Sequence, residues 1–234
     1  MAVTYRQLIN RVLTTLAETP IPDADPAITG SYPQLVGTFV NQIKEEIEDA
    51  HNWRSLRQNL SVTILANAFS GLITGANERS RVLRIADAER GYVPLVFDIT
   101  DATSPQPLVE MDLADILLRQ TMDPTASFGP AYFAVDNDDD GDPVLLVWPR
   151  PIANRTITIM MIVPQARLGN SDVNVALRIP VRALEIGSIY YALMERGEEL
   201  GIQGIFSEER YRKALDDAIS RDNEEQGGYE VIAV

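Results

Sequence analysis

Residues 132–149, with the sequence YFAVDNDDDGDPVLLVWP, carry the clearest fold signal in the chain. Two apolar runs, 132–135 and 144–149, flank a turn built from aspartates, one asparagine and one glycine. Apolar runs on either side of an Asp/Gly turn are typical of a β-hairpin. Residues 155–163 form a third run with β-branched composition, which Pro164 ends. We therefore predict an antiparallel β region here.

The β pattern extends towards the N-terminus. Residues 60–64 alternate apolar and polar side chains, as in a half-buried strand, and residues 81–86 have strand composition. Prolines interrupt residues 87–109, so this stretch is predicted to hold strands and loops. Residues 112–120 have the spacing of a short helix.

Helical periodicity lies on both sides of the β region. Thr4 is predicted to cap a first helix, and Pro33 suits the first turn of a second. On that second helix, charged residues are expected mostly on the exposed face: Lys44, Glu45, Glu46, Glu48 and Asp49. Pro180 is predicted to begin a third helix that runs through Arg196, and Ser207 to cap the last.

This order predicts an α+β fold. Because short helices cannot bury their apolar stripes alone, the N- and C-terminal helices are expected to form one bundle with the antiparallel β domain inserted. The predicted boundaries are 1–54 for the N-terminal helices, 55–165 for the inserted β domain and 166–226 for the C-terminal helices. Residues 227–234 are predicted to be an extended C-terminal tail.

Composition excludes several kinds of chemistry. The 234 residues include no cysteine and one histidine, His51, so thiolate nucleophiles, zinc fingers and His-cluster metal sites are excluded. No nucleotide-binding glycine loop and no G-x-S-x-G motif is present in the sequence. No signal peptide and no apolar run of membrane-spanning length is found, so we expect a soluble protein without a membrane partner.

The net charge of −14 is unevenly distributed. Residues 87–142 hold 13 acidic residues against Arg90 and Arg119, and residues 198–234 hold 10 against 4 basic ones. Proteins that grip DNA usually present a basic stripe, because phosphate neutralisation is the main sequence-independent attraction. The charge therefore disfavours tight DNA binding, and it suits a surface that DNA passes without adhering.

The acidic loop from Asp136 to Asp142 has two interpretations. Its spacing matches the first half of an EF-hand loop, with acids at alternate positions and Gly141 at the sixth. Position twelve, however, is Val147 instead of a bidentate glutamate. A plain acidic hairpin turn is favoured, and a Ca²⁺-assisted binding module, for carbohydrate as one example, is the alternative function.

No catalytic constellation is found. His51 follows the second helix, where a capping role is favoured over catalysis, and Trp53 is expected to be a structural anchor. Acidic residues are plentiful, and a carboxylate-dependent hydrolase is a weaker third hypothesis. We predict no enzyme activity, no cofactor and no metal site.

The C-terminus carries an apolar segment after a polar, glycine-containing stretch. Tyr229, Val231, Ile232 and Val234 are apolar and β-prone. Such a segment can dock on its own fold, or it can add as a strand or strap to a neighbouring protein. From sequence the two are evenly balanced.

Several stretches together resemble a known family. They are residues 4–13 (TYRQLINRVL), the second helix as it runs into Asn52-Trp53, and residues 146–151 (LVWPRP), 162–166 (IVPQA) and 192–198 (ALMERGE). With these the chain resembles the head-to-tail adaptor (connector) proteins of short-tailed phages, the tail tubular protein A-like family. The resemblance spans most of the chain, and the acidic loop departs from it.

The resemblance implies a structural virion protein at the head–tail junction, made in the host cytoplasm. It implies a homo-oligomeric ring of twelve copies between the portal protein and the tail nozzle protein, with helices around a channel for double-stranded DNA. The β region would face the nozzle, and the C-terminal segment, with Tyr229, Val231, Ile232 and Val234, would bind the portal.

Overall fold

The computed structural model describes residues 2–87, 91–125, 127–197, 202–225 and 231–233. Helices and mostly antiparallel strands are both present, which confirms the predicted α+β class. Tertiary contacts divide the chain into two units. Unit 1 comprises Met1–Leu56 and Gln165–Gly228, and unit 2 comprises Arg57–Pro164 and Tyr229–Val234.

The described residues form five α-helices. They are α1 (Tyr5–Thr15), α2 (Ser31–Ala50), α3 (Leu113–Met122), α4 (Val181–Glu195) and α5 (Ile202–Glu225), with a short 3-10 turn at Arg54–Leu56. Helix α3 belongs to unit 2, and the others belong to unit 1. None of these described helices is long and apolar enough to cross a membrane.

Helix α1 begins as its sequence predicts. The Thr4 hydroxyl accepts a hydrogen bond from the Gln7 backbone N–H, and the Gln7 side chain accepts one from the Thr4 N–H, which completes a capping box. The apolar stripe of the helix is fully buried. The predicted N-cap and the predicted core face of this helix are therefore confirmed.

Helix α2 contains an ion pair in the core that the sequence analysis placed on the surface. Lys44 and Glu48 have fully buried side chains, with Lys44 Nζ 3.2 Å from Glu48 Oε2. Lys44 also donates to the Gln165 carbonyl (2.5 Å), and Glu48 accepts from the Gln165 N–H (3.0 Å). The expected exposed position of these two residues is wrong, because a later segment of the chain covers them.

Asn41, about one helical turn before Lys44, also bonds to the segment that contains Gln165. Its side-chain amide donates to the Leu168 carbonyl and accepts from the Leu168 N–H, both at 2.9 Å. Together Asn41, Lys44 and Glu48 satisfy the backbone groups of an extended segment that returns to α2. A buried backbone without such partners would be strongly destabilising.

Small residues let α4 approach its neighbours closely. Ala183, Gly187, Ser188 and Ala192 are buried, and α4 packs on α2 and α5. A Cβ atom at Gly187 would lie 2.7 Å from Ile43 Cγ2 and 2.9 Å from a ring carbon of Tyr211. This position therefore requires glycine for close helix packing.

Two predicted helix starts differ from the structure. Pro180 is the residue before α4 instead of its first residue. Helix α5 is described from Ile202, so Ser207 lies inside the helix and the predicted cap at Ser207 is wrong. Ser207 is a good local capping residue, but the helical pattern simply continues on its N-terminal side.

Unit 2 contains two sheets. The strands are β1 (Arg57–Ile64), β2 (Ser70–Leu72), β3 (Arg81–Asp87), β4 (Gly91–Pro94), β5 (Val96–Asp98), β6 (Gln106–Pro107), β7 (Val109–Glu110), β8 (Tyr132–Asn137), β9 (Pro143–Trp148), β10 (Arg155–Ile162) and β11 (Val231–Ala233). Seven strands form one sheet and four form the other, in the order β2-β9-β8-β7.

Strand β10 organises the larger sheet. One edge pairs along its full length with β1, and it also pairs with β3 and with β5. Ile157, Ile159 and Met161 are fully buried in the main core of the unit, together with Val62 and Ile64 of β1. The predicted strands at 60–64 and 155–163 are confirmed, with β1 beginning at Arg57.

The predicted hairpin at residues 132–149 is also confirmed, as β8 and β9 in antiparallel register. Phe133 and Val147 enter the main core, whereas Ala134 and Leu146 pack against Ile116 of α3 on the opposite face. Burial on both faces explains why these strands read as continuous apolar runs instead of alternating ones.

Candidate partner-binding site

The C-terminal strand β11 lies at the edge of the larger sheet of unit 2. It pairs antiparallel with β3, with Ile232 opposite Arg84 and its neighbours opposite Leu83 and Ile85. Tyr229 and Val234, two of the four residues predicted to bind the portal, lie outside the described residues. The described part of the tail therefore pairs with its own chain, one of the two arrangements that the sequence left open.

Strand β3 presents a well-anchored edge to β11. Val82 and Leu83 are buried, which fixes the strand in the core. Arg84 holds the Glu110 carboxylate of β7 with two hydrogen bonds, one of them Nε to Oε2 at 2.9 Å. By contrast, β11 is a three-residue strand and forms few ladder bonds. Short edge pairing of this kind can be exchanged for pairing with another chain.

A largely apolar groove adjoins this salt bridge. It encloses about 880 Å³, and Glu110, the partner of Arg84, lines it. Apolar side chains make up most of the wall, among them Val93, Leu95, Phe97 and Val109. The groove can accept apolar side chains of a protein partner, and Glu110 and Asp112 are the ionisable residues among its described lining.

Exposed large apolar side chains are concentrated in unit 2. Eight such residues are found among those that the structure describes, and every one lies between residues 57 and 164. They are Leu65, Leu72, Val109, Leu117, Leu118, Met122, Phe128 and Ile152. Where such residues are contiguous, as Leu117, Leu118 and Met122 are on α3, they can form a surface for another protein.

The acidic loop folds as a plain hairpin turn. The Asp138 carboxylate accepts hydrogen bonds from the backbone N–H groups of Asp140 (3.0 Å) and Asp142 (2.8 Å). Gly141 adopts φ of +88°, which the turn requires. No group of three or more His, Asp or Glu side chains suited to a metal ion is found among the described residues. The Ca²⁺ hypothesis therefore receives no support.

His51 and Trp53 occupy structural positions in unit 1. His51 Nε2 lies 3.0 Å from Asp222 Oδ2 of α5, and Arg54 Nε lies 3.6 Å from the other carboxylate oxygen. Trp53 is buried and donates its indole N–H to the Ile47 carbonyl at 2.6 Å. These contacts connect the end of α2 to α5 and place no nucleophile beside the imidazole.

Three carboxylates of α2, Glu45, Glu46 and Asp49, line one groove together with Glu195 of α4. Glu48 pairs with Lys44, and Glu45 lies 3.9 Å from Arg167. Glu46 accepts a hydrogen bond from the Tyr191 hydroxyl at 2.5 Å, which raises the pKa of Tyr191 to about 12. The contacts of the described residues single out no general acid and no general base among these carboxylates, so the hydrolase hypothesis gains no support from them.

Sequence reasoning missed two features of interest. The buried Lys44–Glu48 pair gave no local signal, because (i, i+4) charges normally mark an exposed helix face. The exposed apolar residues of α3 could have been found, since Leu117, Leu118 and Met122 repeat at helical spacing beside the stripe of Leu113 and Ile116.

Comparison of the sequence with protein-family models finds one match. The family described as SU10 adaptor protein matches residues 3–231, which is nearly the whole chain. No curated protein matches. The sequence resemblance to phage head-to-tail adaptors is thereby confirmed.

Proposed function

This chain belongs to the SU10 adaptor protein family, and we propose that it forms a ring between the portal and the tail nozzle of a phage particle. The family membership itself gives a structural phage protein that interacts with portal and tail components. The ring, of twelve copies, and its place at the head–tail junction are the proposal. The match over residues 3–231 carries it.

The exposed apolar side chains of unit 2 support an assembly role. Phe128 and Met122 are 71% and 76% exposed, and covering them with another protein would be favourable. Repeated contacts with neighbouring copies and with partner proteins would cover such residues. The mechanism is therefore shape and interface, without turnover of a substrate.

The charge distribution supports DNA passage without tight binding. The chain carries 34 acidic and 20 basic residues, so a ring of copies has a strongly negative surface. A wall of this sign repels phosphates and releases no counterions to them. Double-stranded DNA would therefore move through the ring during ejection without being held.

The C-terminal tail is our proposed portal-binding segment, through Tyr229, Val231, Ile232 and Val234. The pairing of β11 with β3 shows that Val231–Ala233 can adopt a strand on a sheet edge. The same backbone groups can pair with an edge of the portal, so that binding exchanges one short ladder for another.

The domain arrangement completes the proposal. Residues 1–54 and 166–226 would act as one helical bundle, 55–165 as the inserted β domain and 227–234 as the tail. The division of tertiary contacts, with α1, α2, α4 and α5 in one unit, supports this arrangement. The protein would reside in the host cytoplasm until it joins the head–tail junction of the virion.

Native mass measurement tests the proposal. The purified chain is mixed with the portal ring of the same phage, and we expect one discrete complex that carries twelve adaptor copies. Failure to co-assemble with the portal under any salt condition would overturn the function.

A truncated chain tests the tail assignment separately. Deletion of residues 229–234 is expected to abolish portal attachment and to leave the helical content measured by circular dichroism unchanged, because β11 pairs only with a strand of unit 2. The matched control replaces the acidic turn residues Asp139 and Asp140 with Asn, and it should bind the portal normally. Normal attachment of the truncated chain would show that the tail is not the portal-binding segment.

A further inference from the structure

Helix α4 of unit 1 separates two surface grooves. One groove, of about 580 Å³, lies between α2 and α4, and the other, of about 520 Å³, lies between α4 and α5 beside Thr15 of α1. Residues nine apart in an α-helix are two and a half turns apart, so they point in opposite directions. Arg182 and Tyr191 are nine apart and line different grooves, as do Ile186 and Glu195. The two grooves therefore open on opposite faces of α4.

The groove between α2 and α4 is acidic, and we call it the acidic groove. Four carboxylates line it, those of Glu45, Glu46, Asp49 and Glu195. Arg167, 3.9 Å from Glu45, is the one cation described beside them. Phe39, Tyr191 and Met194 add aromatic and apolar surface to the same lining. Carboxylates beside aromatic rings suit the charged head and the aliphatic stem of a Lys or Arg side chain.

The groove on the other face carries a surplus of cations, and we call it the basic groove. Three exposed cations line it: Arg182, Arg210 and Lys213. Its two carboxylates are Glu185 and Asp217, and Glu185 already pairs with Arg11 at 3.3 Å. With Arg11 included, four cations accompany two carboxylates. Ile186 and Ile189 give this groove partly exposed apolar surface as well.

We propose that the acidic groove of one copy packs against the basic groove of the next copy, and that this contact builds the ring. The inference rests on the proposed function, which gives a ring without the faces that meet in it. Both halves of the contact belong to this chain, so its own sequence supplies the opposite charges and the apolar surface. A contact between two different faces of one chain is heterologous, and it forms a ring when its rotation closes. Because the two faces lie on opposite sides of one helix, each copy can bind a neighbour on each side.

The net charge of the chain makes this contact selective. With a net charge of −14 each, two copies repel one another over most of their surfaces. An approach that brings a basic groove to an acidic groove replaces this repulsion with attraction, which favours that orientation over others. The contact uses unit 1, so the exposed apolar side chains of unit 2 are left for partner proteins.

Charge changes on one face at a time test the contact. The first variant combines Gln42→Lys with Glu195→Lys in the acidic groove, and the second combines Arg210→Glu with Lys213→Glu in the basic groove. All four side chains are exposed, so their replacement leaves the core intact. Native mass measurement follows ring assembly of the full chain on the portal ring of the same phage, and sedimentation follows self-association of the free chain.

Each variant alone is expected to need at least about ten times the wild-type concentration for half-complete assembly, because like charges then meet across the contact. An equimolar mixture of the two variants should assemble at close to the wild-type concentration. In the mixture, the native basic groove of the first variant meets the native acidic groove of the second, and the two changed grooves also have opposite charges. Misfolded variants would not recover in this way.

Arg221→Glu and Glu224→Lys, made singly, are the matched controls, because both residues are exposed on α5 and neither is among the described lining of either groove. Each should change the assembly concentration by less than about threefold, as expected for positions outside the interface centre. Wild-type assembly by either groove variant alone would overturn the inference. A loss that mixing does not restore would assign the grooves to another occupant, such as the portal protein, and would also overturn it.

The wild-type chain separates failure of the contact from failure of the proposed function. Complete rings on the portal from the wild type and from both groove variants would refute the contact alone. A wild-type chain that neither binds the portal nor self-associates would refute the proposed function, and the contact would fall with it. If the wild type self-associates without binding the portal, the proposed function is refuted, and sedimentation of the two variants decides the contact by itself.

Discussion

The two units of this chain differ in which side chains they bury and which they expose. Unit 1 buries Arg6, Asn41, Lys44, Glu48 and Ser188, whereas Asp98 is the buried charged residue described in unit 2. Unit 2 in turn holds all eight of the exposed large apolar side chains that the structure describes. Unit 1 therefore buries more polar and charged side chains, and unit 2 exposes more large apolar ones.

This difference suggests separate roles for the two units. Buried polar contacts depend on direction, so the pairing of α2 with residues 165–168 fixes the path on which the chain returns to the helices. Exposed apolar side chains gain free energy when a partner covers them. We propose that unit 1 acts as the support and that unit 2 carries the apolar surfaces that assembly completes.

The largest expected effect concerns the buried pair of unit 1. Lys44→Met leaves the Glu48 carboxylate and the Gln165 carbonyl without their cation. We expect a loss of about 3–5 kcal/mol in the free energy of unfolding, measured by urea titration. Lys44→Met combined with Glu48→Leu should recover much of that loss, because no uncompensated charge remains buried.

The exposed pair Glu208–Arg212 of α5 is the matched control, with the same (i, i+4) spacing. Replacement of Arg212 by Met should cost no more than about 0.5 kcal/mol, since water screens this pair. Equal losses at the two pairs would contradict the claim that burial distinguishes unit 1.

A smaller effect is expected within α3 of unit 2. Ile116→Ala removes a fully buried side chain from a small cluster and should cost about 2 kcal/mol, at the low end for such changes. Leu118→Ala removes a side chain that is 55% exposed, so the free energy of unfolding should change by less than about 0.5 kcal/mol. A Leu118→Ala loss as large as that of Ile116→Ala would mean that the exposed face of α3 is part of the core.

Unit 1 is also expected to lose stability at alkaline pH, an effect that is absent near neutrality. Burial raises the pKa of Tyr5 to about 12, and donation to Glu46 raises that of Tyr191 to about 12. The folded chain therefore keeps these protons at pH values where the unfolded chain, with pKa values near 10, loses them. Their contribution to stability is complete below about pH 10 and is lost as the pH rises through about 12.

Denaturant titration at several alkaline pH values measures this dependence. Tyr5→Phe removes one of the phenols and should flatten the fall in stability above about pH 10. Glu46→Gln should lower the pKa of Tyr191, which the ultraviolet absorbance of tyrosinate reports. An alkaline fall that is the same in the wild type and in Tyr5→Phe would contradict the assigned role of Tyr5.

Local sequence signals predicted the long, regular elements. The capping box at Thr4, the stripe of α1 and the hairpin around residues 136–142 follow from side chains close together in the chain. The strands β2, β4, β5, β6 and β7 escaped individual prediction because two to four residues carry no readable period. Their existence depends on pairing with β3, β5, β8, β9 and β10.

The buried Lys44–Glu48 pair was not predictable for a related reason. Its burial depends on Gln165, which is more than a hundred residues away and completes the hydrogen bonds of both side chains. The same limit applies to the candidate site. The sequence singled out the apolar tail residues, but the edge of β3 that receives β11 is defined only by the folded sheet.

Methionine oxidation tests most directly whether unit 2 carries the assembly surface. Met122 is 76% exposed and Met161 is fully buried, so dilute peroxide should oxidise Met122 much faster than Met161 in the free chain. In the complex with portal and nozzle proteins, we expect oxidation of Met122 to slow at least about tenfold, because the covering partner excludes the oxidant. Met122 oxidation at the free rate in a fully formed complex would contradict the account.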